Sequence, residues 1–429
     1  MTEQIKSQNQ RWSTRNRVRM LPVAAAAFAA PTLLRHTTRA QQAEVRITGY
    51  TSSPAEQTLF EQILADAGTA LPDISIKYEP IPSDYDTKLQ TDIAAGSVAD
   101  VFYLNSMSAP DYMANNALLD LTDYMAASGV VAEDFYPGLI GAYQLNGRTY
   151  GLPKDWSSLA MVYNADKVTT VPTTWEELRA AAQTLADEAG EPRINIPSDI
   201  ARYFAFHYAA GAEVLSDDGS AVVINSPEAM TALDFYYGLY RDGLASTPAD
   251  SGAEWPGDAL AKGFADIVFE GNWLFPFLES NAPDLNFAIA EMPAGPAGKA
   301  TLAFTVSFSA SAKTQVPEQS WSLINYLTGP EGMGKWVSLG LAMPSRVGLA
   351  EAWAAQFPER QPFLTSGDYA RGWQLGPGGQ AFLNDANAEL QGLFAETQDV
   401  ATTLQKMQSA AETRITLVPA GAPAATPTA

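Results

Sequence analysis

The sequence predicts an α/β protein in two lobes, and three observations carry this reading. Apolar strand-like stretches alternate with capped helical segments, in a β-α-β-α-β order that implies a parallel sheet with right-handed crossovers. The 429 residues are roughly two to three times the size of an ordinary domain. The apolar content of 46% is ample for two cores, and low-complexity sequence is confined to the chain ends.

Val45 to Tyr50 alternates apolar and polar side chains and reads as the first strand. Ser53-Pro54-Ala55-Glu56 forms a capping box with proline at the first helical position. Leu59, Phe60, Ile63, Leu64 and Ala67 then make the inward face of a helix that Gly68 can end. Ile74, Ile76 and Tyr78 alternate as a second strand, a helix follows over 84–95, and 100–104 is a short apolar strand. Thr174-Trp175-Glu176-Glu177 is a second capping box, ahead of Leu178, Ala182 and Leu185. Ser226-Pro227-Glu228 opens a helix whose face carries Leu233, Tyr236, Tyr237 and Tyr240, closed by Gly243. Strands at 286–290 and 301–309 and helices at 317–327 and 330–339 follow. One long last helix, 386–416, sets Leu390, Leu393, Phe394, Leu404, Met407, Ala411 and Ile415 on a single stripe.

The two ends read differently. Residues 11–19 are basic, Met20 to Leu34 is alanine-rich and apolar, and Thr38-Arg39-Ala40 offers small residues for a peptidase. That order of zones is an export signal, so 1–43 is expected to be a leader and the mature protein to lie outside the cytoplasmic membrane, in the periplasm or on the membrane's outer face. The apolar run is shorter than the roughly 20 residues that span a bilayer. Residues 418–429 have the composition of a disordered tail.

Charge and composition exclude several classes. The net charge is −22 although the first forty residues carry seven basic groups against one acid, Glu3. A body this acidic repels phosphate backbones, so nucleic acid is not an expected partner. Without cysteine there is no disulfide, thiol nucleophile, cysteine-ligated zinc or lipid-bearing cysteine. Of two histidines, His36 lies in the leader, and His207, among aromatics and alanines, reads as a packed helical side chain. No metal-ligand spacing, nucleophile elbow or P-loop is present, so neither metal nor cofactor is expected. Gly295-Pro296-Ala297-Gly298-Lys299 reads as a hairpin turn.

Three stretches, in order, carry a resemblance. They are Asp100-Val101-Phe102-Tyr103-Leu104-Asn105-Ser106; Tyr150-Gly151-Leu152-Pro153-Lys154-Asp155-Trp156 running to Met161-Val162-Tyr163-Asn164-Ala165-Asp166-Lys167; and Phe269-Glu270-Gly271-Asn272-Trp273 running through Glu291-Met292-Pro293. Together with the following strand from Phe304 and the Trp321–Trp336 helices, the chain resembles family 1 extracellular solute-binding proteins, the maltose-binding-like branch, over about residues 44–416. The resemblance implies a type II periplasmic-binding-protein fold, with two discontinuous α/β lobes around a ligand cleft. Crossovers are then expected near Lys154, Phe304 and Arg346–Gly348. This divides the chain into an N-terminal lobe of 44–154 plus 304–347 and a C-terminal lobe of 155–303 plus 348–417.

The same resemblance implies a small-molecule ligand, a sugar above all. Sugar hydroxyls call for charged and amide groups, and ring C–H faces call for flat aromatics. Trp273 sits in the motif whose tryptophan stacks on ligand in the family, and Asp155 and Trp156 sit at the expected hinge, with Lys154 able to brace Asp155. Asn105 and Ser106 follow a strand, as Ser52 does, and ligands bind beyond the carboxyl ends of strands in open α/β sheets. Tyr203 lies where maltose-binding relatives carry a stacking aromatic, with Phe204 or simple core packing as alternatives. Trp373, on a glycine-rich loop, and Arg346 complete the candidate set. Trp175, Trp321 and Trp336 lie on helical faces and read as packing residues. The expected role is capture and delivery to the membrane permease subunits of an ABC transporter, by a monomer without catalytic activity. The rival readings are a secreted glycosidase or lyase, and a binder of polyamine, peptide or metal chelate.

Overall fold

The computed structural model describes residues 42–51 and 53–417. The leader up to residue 41, Ser52 and the 418–429 tail lie outside the described residues.

The strands are β1 (Ala43–Thr48), β2 (Ile74–Tyr78), β3 (Val101–Asn105), β4 (Gln144–Leu145), β5 (Arg148–Thr149), β6 (Gly151–Ser158), β7 (Ala160–Asn164), β8 (Ile194–Asn195), β9 (Ala245–Ser246), β10 (Ile267–Glu270), β11 (Phe287–Ala290), β12 (Thr301–Ala310) and β13 (Ala370–Gly372). They form two main sheets. The first runs β13-β12-β3-β1-β2, with β6 also on β12; the second runs β11-β7-β10-β8-β9. β1 pairs in parallel with β2 and β3, as the β-α-β-α-β order requires. β12 runs antiparallel to both β3 and β6. Each sheet has its own apolar core. Val45, Phe60, Tyr103, Phe308 and Trp336 belong to the first; Met161, Leu178, Phe206, Tyr236 and Leu390 belong to the second.

The caps form where the sequence places them. Ser53, Thr174 and Ser226 each accept the backbone N–H three residues on, at 3.2, 3.2 and 3.1 Å. Two boundaries differ from expectation. Gly68 does not end its helix, which runs Pro54–Ala70; Pro72, one residue past the cap Leu71, supplies the stop. The long last helix is two, Gly379–Phe394 and Val400–Arg414. Glu396 turns the chain with a left-handed φ of 56°, and Asp399 caps the second helix by accepting from Thr402 N at 2.8 Å. Both helices bury their apolar faces against the same core, so one stripe spans the break.

The passage between the sheets is short. β6 continues past Lys154 in the first sheet to Ser158, and β7 starts in the second at Ala160, so Leu159 alone joins them. Leu159 is fully buried. Its N–H donates to Thr301 Oγ1 at 3.2 Å and its carbonyl accepts from the same hydroxyl at 2.8 Å. Next to it, Ser366 Oγ donates to Ser158 Oγ at 2.6 Å. Trp353 and Phe363 pack in the first core, whereas Phe382 to Met407 pack in the second.

His207 is the one described histidine, on the Ile200–Ala209 helix and fully buried against Phe204, 5.2 Å between ring centroids. Burial pushes its pKa down to about 4. The unfolded chain therefore takes up a proton near pH 6.5 that the native ring refuses, so this residue's contribution to stability is intact above pH 6.5 and drains away as pH falls towards 4. Urea unfolding at stepped pH is expected to show wild type losing about 3 kcal/mol more than His207→Leu between pH 7 and pH 4. Parallel pH profiles for the two proteins would contradict this.

Candidate functional site

The site begins with a gap in a sheet. On one side β12 pairs with β13 over Thr301–Ala303 and with β3 over Val306–Ala310, leaving positions 304 and 305 between those two strands. Backbone groups there must find other partners. Ser106 N–H donates to the Thr305 carbonyl at 3.1 Å, and Trp373 N–H donates to the Ala303 carbonyl at 3.0 Å. The Tyr143 hydroxyl donates into the same gap, 2.9 Å from the Thr305 carbonyl. Ser106 Oγ, itself buried, donates to the Trp373 carbonyl at 3.0 Å. Gln374 Nε2 donates to the Ser106 carbonyl at 3.1 Å and the Ala142 carbonyl at 2.8 Å. The loop after β13 is thus sewn to the end of β3.

Three aromatic rings gather at this gap. Phe304 lies between Trp273, at 5.9 Å and 74°, and Trp373, at 5.7 Å and 57°. Fully buried Phe204 supports Trp373 from behind at 6.1 Å. Trp273, Phe304 and Trp373 are each only partly buried. They come from β12, the turn after β10 and the loop after β13, so both sheets contribute to one partly open aromatic surface.

Trp273 is held by charge. Glu270 ends β10 and is fully buried. Its carboxylate accepts from Arg202 Nη2 at 2.9 and 2.7 Å and from Trp273 Nε1 at 2.9 Å. Arg202 also donates to Asp199, the cap of its own helix, at 3.2 Å. Burial raises the Glu270 carboxyl above its ordinary range, with Arg202 and the indole N–H pulling the other way. Between them, Asn272 is fully buried with neither amide atom paired among the described residues.

The first sheet offers a second polar group. Tyr50 OH donates to Asn105 Oδ1 at 3.2 Å, and Asn105 Nδ2 donates to the Asp86 carboxylate at 2.9 Å. Deeper, Lys154 forms a buried ion pair with Asp155. The Lys154 ammonium lies 4.0 Å from the Trp336 ring centre and 4.9 Å from that of Tyr103. Trp336 Nε1 donates to Asp155 Oδ2 at 2.6 Å.

The structure thus brings Ser106, Trp273 and Trp373 together around Phe304, and sets Asn105 at the neighbouring strand end. The other candidates lie elsewhere. The Asp155 carboxylate is spent on Lys154, which braces it as expected, and on Trp336. Trp156 is buried in the first core beside Tyr136, 5.9 Å away. Tyr203 is fully buried in the second core, its hydroxyl 3.4 Å from the Ala229 carbonyl, so its ring has no open face. Arg346 donates to the Thr328 carbonyl at 2.6 Å and pairs with Asp134 at 3.2 Å, which uses its guanidinium structurally. Ser52 lies outside the described residues. Sequence reasoning did not single out Phe304, Arg202 or Glu270 for the site. Phe304 falls at an expected crossover, and Glu270 stands inside the Trp273 motif, which were the available signals.

A family model for bacterial extracellular solute-binding proteins matches residues 62–362. A protein of Brucella abortus (strain 2308) described as a binding protein is 28% identical over 302 residues, 67% of this chain and 72% of the relative. The maltotriose-binding protein of Pyrococcus abyssi is 26% identical over 245 residues, 56% of this chain and 51% of its own length. Among solved structures, a Listeria monocytogenes ABC substrate-binding protein in complex with cycloalternan superposes with a TM-score of 0.79 at 21% identity, covering 87% of this chain and 99% of that one. The two-sheet architecture is therefore that of periplasmic binding proteins.

The buried Lys154–Asp155 pair yields a stability prediction. Lys154→Met strips the partner from a buried carboxylate and is expected to cost about 3–5 kcal/mol in urea unfolding. Lys154→Met combined with Asp155→Leu, which removes both charges, should recover most of that loss. Equal destabilisation of the single and double variants would show that the pair is not the source.

Proposed function

We propose that this chain, which belongs to the bacterial extracellular solute-binding protein family, captures a sugar or oligosaccharide in a cleft between two lobes and delivers it to the permease of an ABC importer. The observation that carries the reading is the partly open surface of Trp273, Phe304 and Trp373, to which both sheets contribute. Flat apolar rings match the C–H faces of a pyranose, and the partly exposed Asn105 at the adjoining strand end offers its amide to the hydroxyls, while Ser106 and Gln374 Nε2, spent on backbone carbonyls, hold the loop that carries Trp373. The maltotriose and cycloalternan bound by the two similar proteins belong to the same chemical class.

In this reading the lobes follow the two sheets, so the sequence-based divisions of 44–154 plus 304–347 and 155–303 plus 348–417 shift. The first passes from Lys154 to Leu159, the second to the start of β12 at Thr301, and the third from Val347 to beyond β13, ahead of Phe382. The short passage at Leu159 is a pivot. A ligand touching both lobes favours the closed arrangement by its differential affinity. The protein acts outside the cytoplasmic membrane, in the periplasm or at the membrane's outer face, as a monomer that binds without turnover and has no nucleic-acid partner. Among the described residues no helix is long and apolar enough to cross a membrane; in this reading the permease is a separate subunit.

A thermal-shift screen followed by calorimetry tests this, using maltotriose and a cyclic tetrasaccharide against spermidine and short peptides. Saccharides are expected to raise the melting temperature. Trp273→Ala and Trp373→Ala are each expected to weaken saccharide binding at least about tenfold, or about 1.4 kcal/mol. A shift with spermidine and none with saccharides would overturn the sugar assignment, and release of reducing ends from a glycan panel would make the protein an enzyme.

A further inference from the structure

We propose that Glu270 and Arg202 are positioning residues that lock the Trp273 indole into a fixed platform, one that meets a ligand ring by stacking and gives it no hydrogen bond. The sugar reading supplies the nature of the ligand; the lock itself rests on geometry alone.

An indole has a single hydrogen-bond donor, its ring N–H. In Trp273 that donor is spent on Glu270 Oε2 at 2.9 Å. The carboxylate it meets is fully buried and also takes two contacts from Arg202 Nη2. Swinging the indole away would leave a buried carboxylate short of a donor, in surroundings where such bonds are strong and their loss costly. The guanidinium is fixed in turn by Asp199 at the start of its helix.

Two further contacts close the remaining directions. The Trp273 ring folds back over Gly271, so closely that a Cβ there would fall 2.3 Å from the ring. Phe304 meets it edge-on at 5.9 Å. Charge, backbone and a neighbouring ring therefore hold one rotamer while part of the indole stays open to solvent. A ligand arriving at such a surface orders nothing further on the protein side, which is the affinity gain of a preorganised site. With Nε1 spent, the ring offers carbon surface and no donor, so recognition there is of apolar C–H surface rather than of a particular hydroxyl.

The test uses the full chain labelled with 5-fluorotryptophan, whose nine tryptophans give separable fluorine signals, with that of Trp273 identified by Trp273→Phe. In the ligand-free wild type the Trp273 line should be narrow. It should broaden in Glu270→Gln, in the charge-free pair Glu270→Leu with Arg202→Met, and in Gly271→Ala, which displaces the ring without touching a charge. Circular dichroism verifies that each variant is folded, and the apolar pair serves where the single change leaves Arg202 without its buried carboxylate partner. Maltotriose is the binding probe. Its dissociation constant should rise about tenfold in the Glu270 variants, and the same changes should have no further effect in a Trp273→Phe background. An unaltered Trp273 line in all three variants overturns the lock. A tenfold loss that persists without Trp273 overturns the route through the indole. If no saccharide binds the wild type while the line still broadens, the lock stands and the sugar reading fails.

Discussion

Most of what is specific to this molecule follows from the way β12 is shared. A ten-residue strand pairs with β6 along one edge, and along the other with β13 at its start and β3 at its end. Neither of the latter reaches positions 304 and 305. Unpaired backbone inside a protein is costly, so the gap must be filled by other groups. Ser106 and Tyr143 reach it at the Thr305 carbonyl, and Trp373 docks beside it on the Ala303 carbonyl, so three different segments meet there. A defect in one sheet thereby gathers distant parts of the chain beside Phe304, whose ring is left partly open.

On either side of that junction the same device recurs. Asp155 accepts from Lys154 and from the indole of Trp336; Glu270 accepts from Arg202 and from the indole of Trp273. In both, a buried carboxylate is neutralised by a cation and ties down a tryptophan. Buried ion pairs are seldom worth their desolvation as sources of stability. Their use here is geometric, because each fixes where a large flat ring can lie. The two differ in outcome: Trp336 is buried in the first core, whereas Trp273 keeps part of its surface open.

The fold was legible in the sequence wherever local chemistry decides structure. Ser53, Thr174 and Ser226 cap helices because their hydroxyls reach the third N–H onward, and that signal lies within four residues. Alternation in Val45 to Tyr50 and Ile74 to Tyr78 likewise reports a strand from within. The turn at Glu396 was not legible, since the apolar stripe runs through it and the Asp399 cap stands among other polar residues. The site was legible in part. Trp273 and Trp373 stand out as aromatics in glycine-flanked turns. Tyr203 offers a ring and Arg346 a guanidinium, equally fit for a sugar by residue type, yet what surrounds them, a closed core and the Thr328 carbonyl, is set by other segments of the fold. The pairing of Arg202 with Glu270 spans 68 positions, and no periodicity announces it.

Thr301 shows how narrow a requirement can be. One hydroxyl both gives a proton to the Leu159 carbonyl and takes one from the Leu159 amide, in a place water does not reach. Valine has almost the same shape and can do neither; asparagine can do both but not with a single atom in that space. Serine and threonine are the side chains that satisfy it. Position 301 is thus nearly closed to mutational drift on chemical grounds, although it touches no ligand, and any redesign of the joint between the sheets has to begin by keeping an alcohol there.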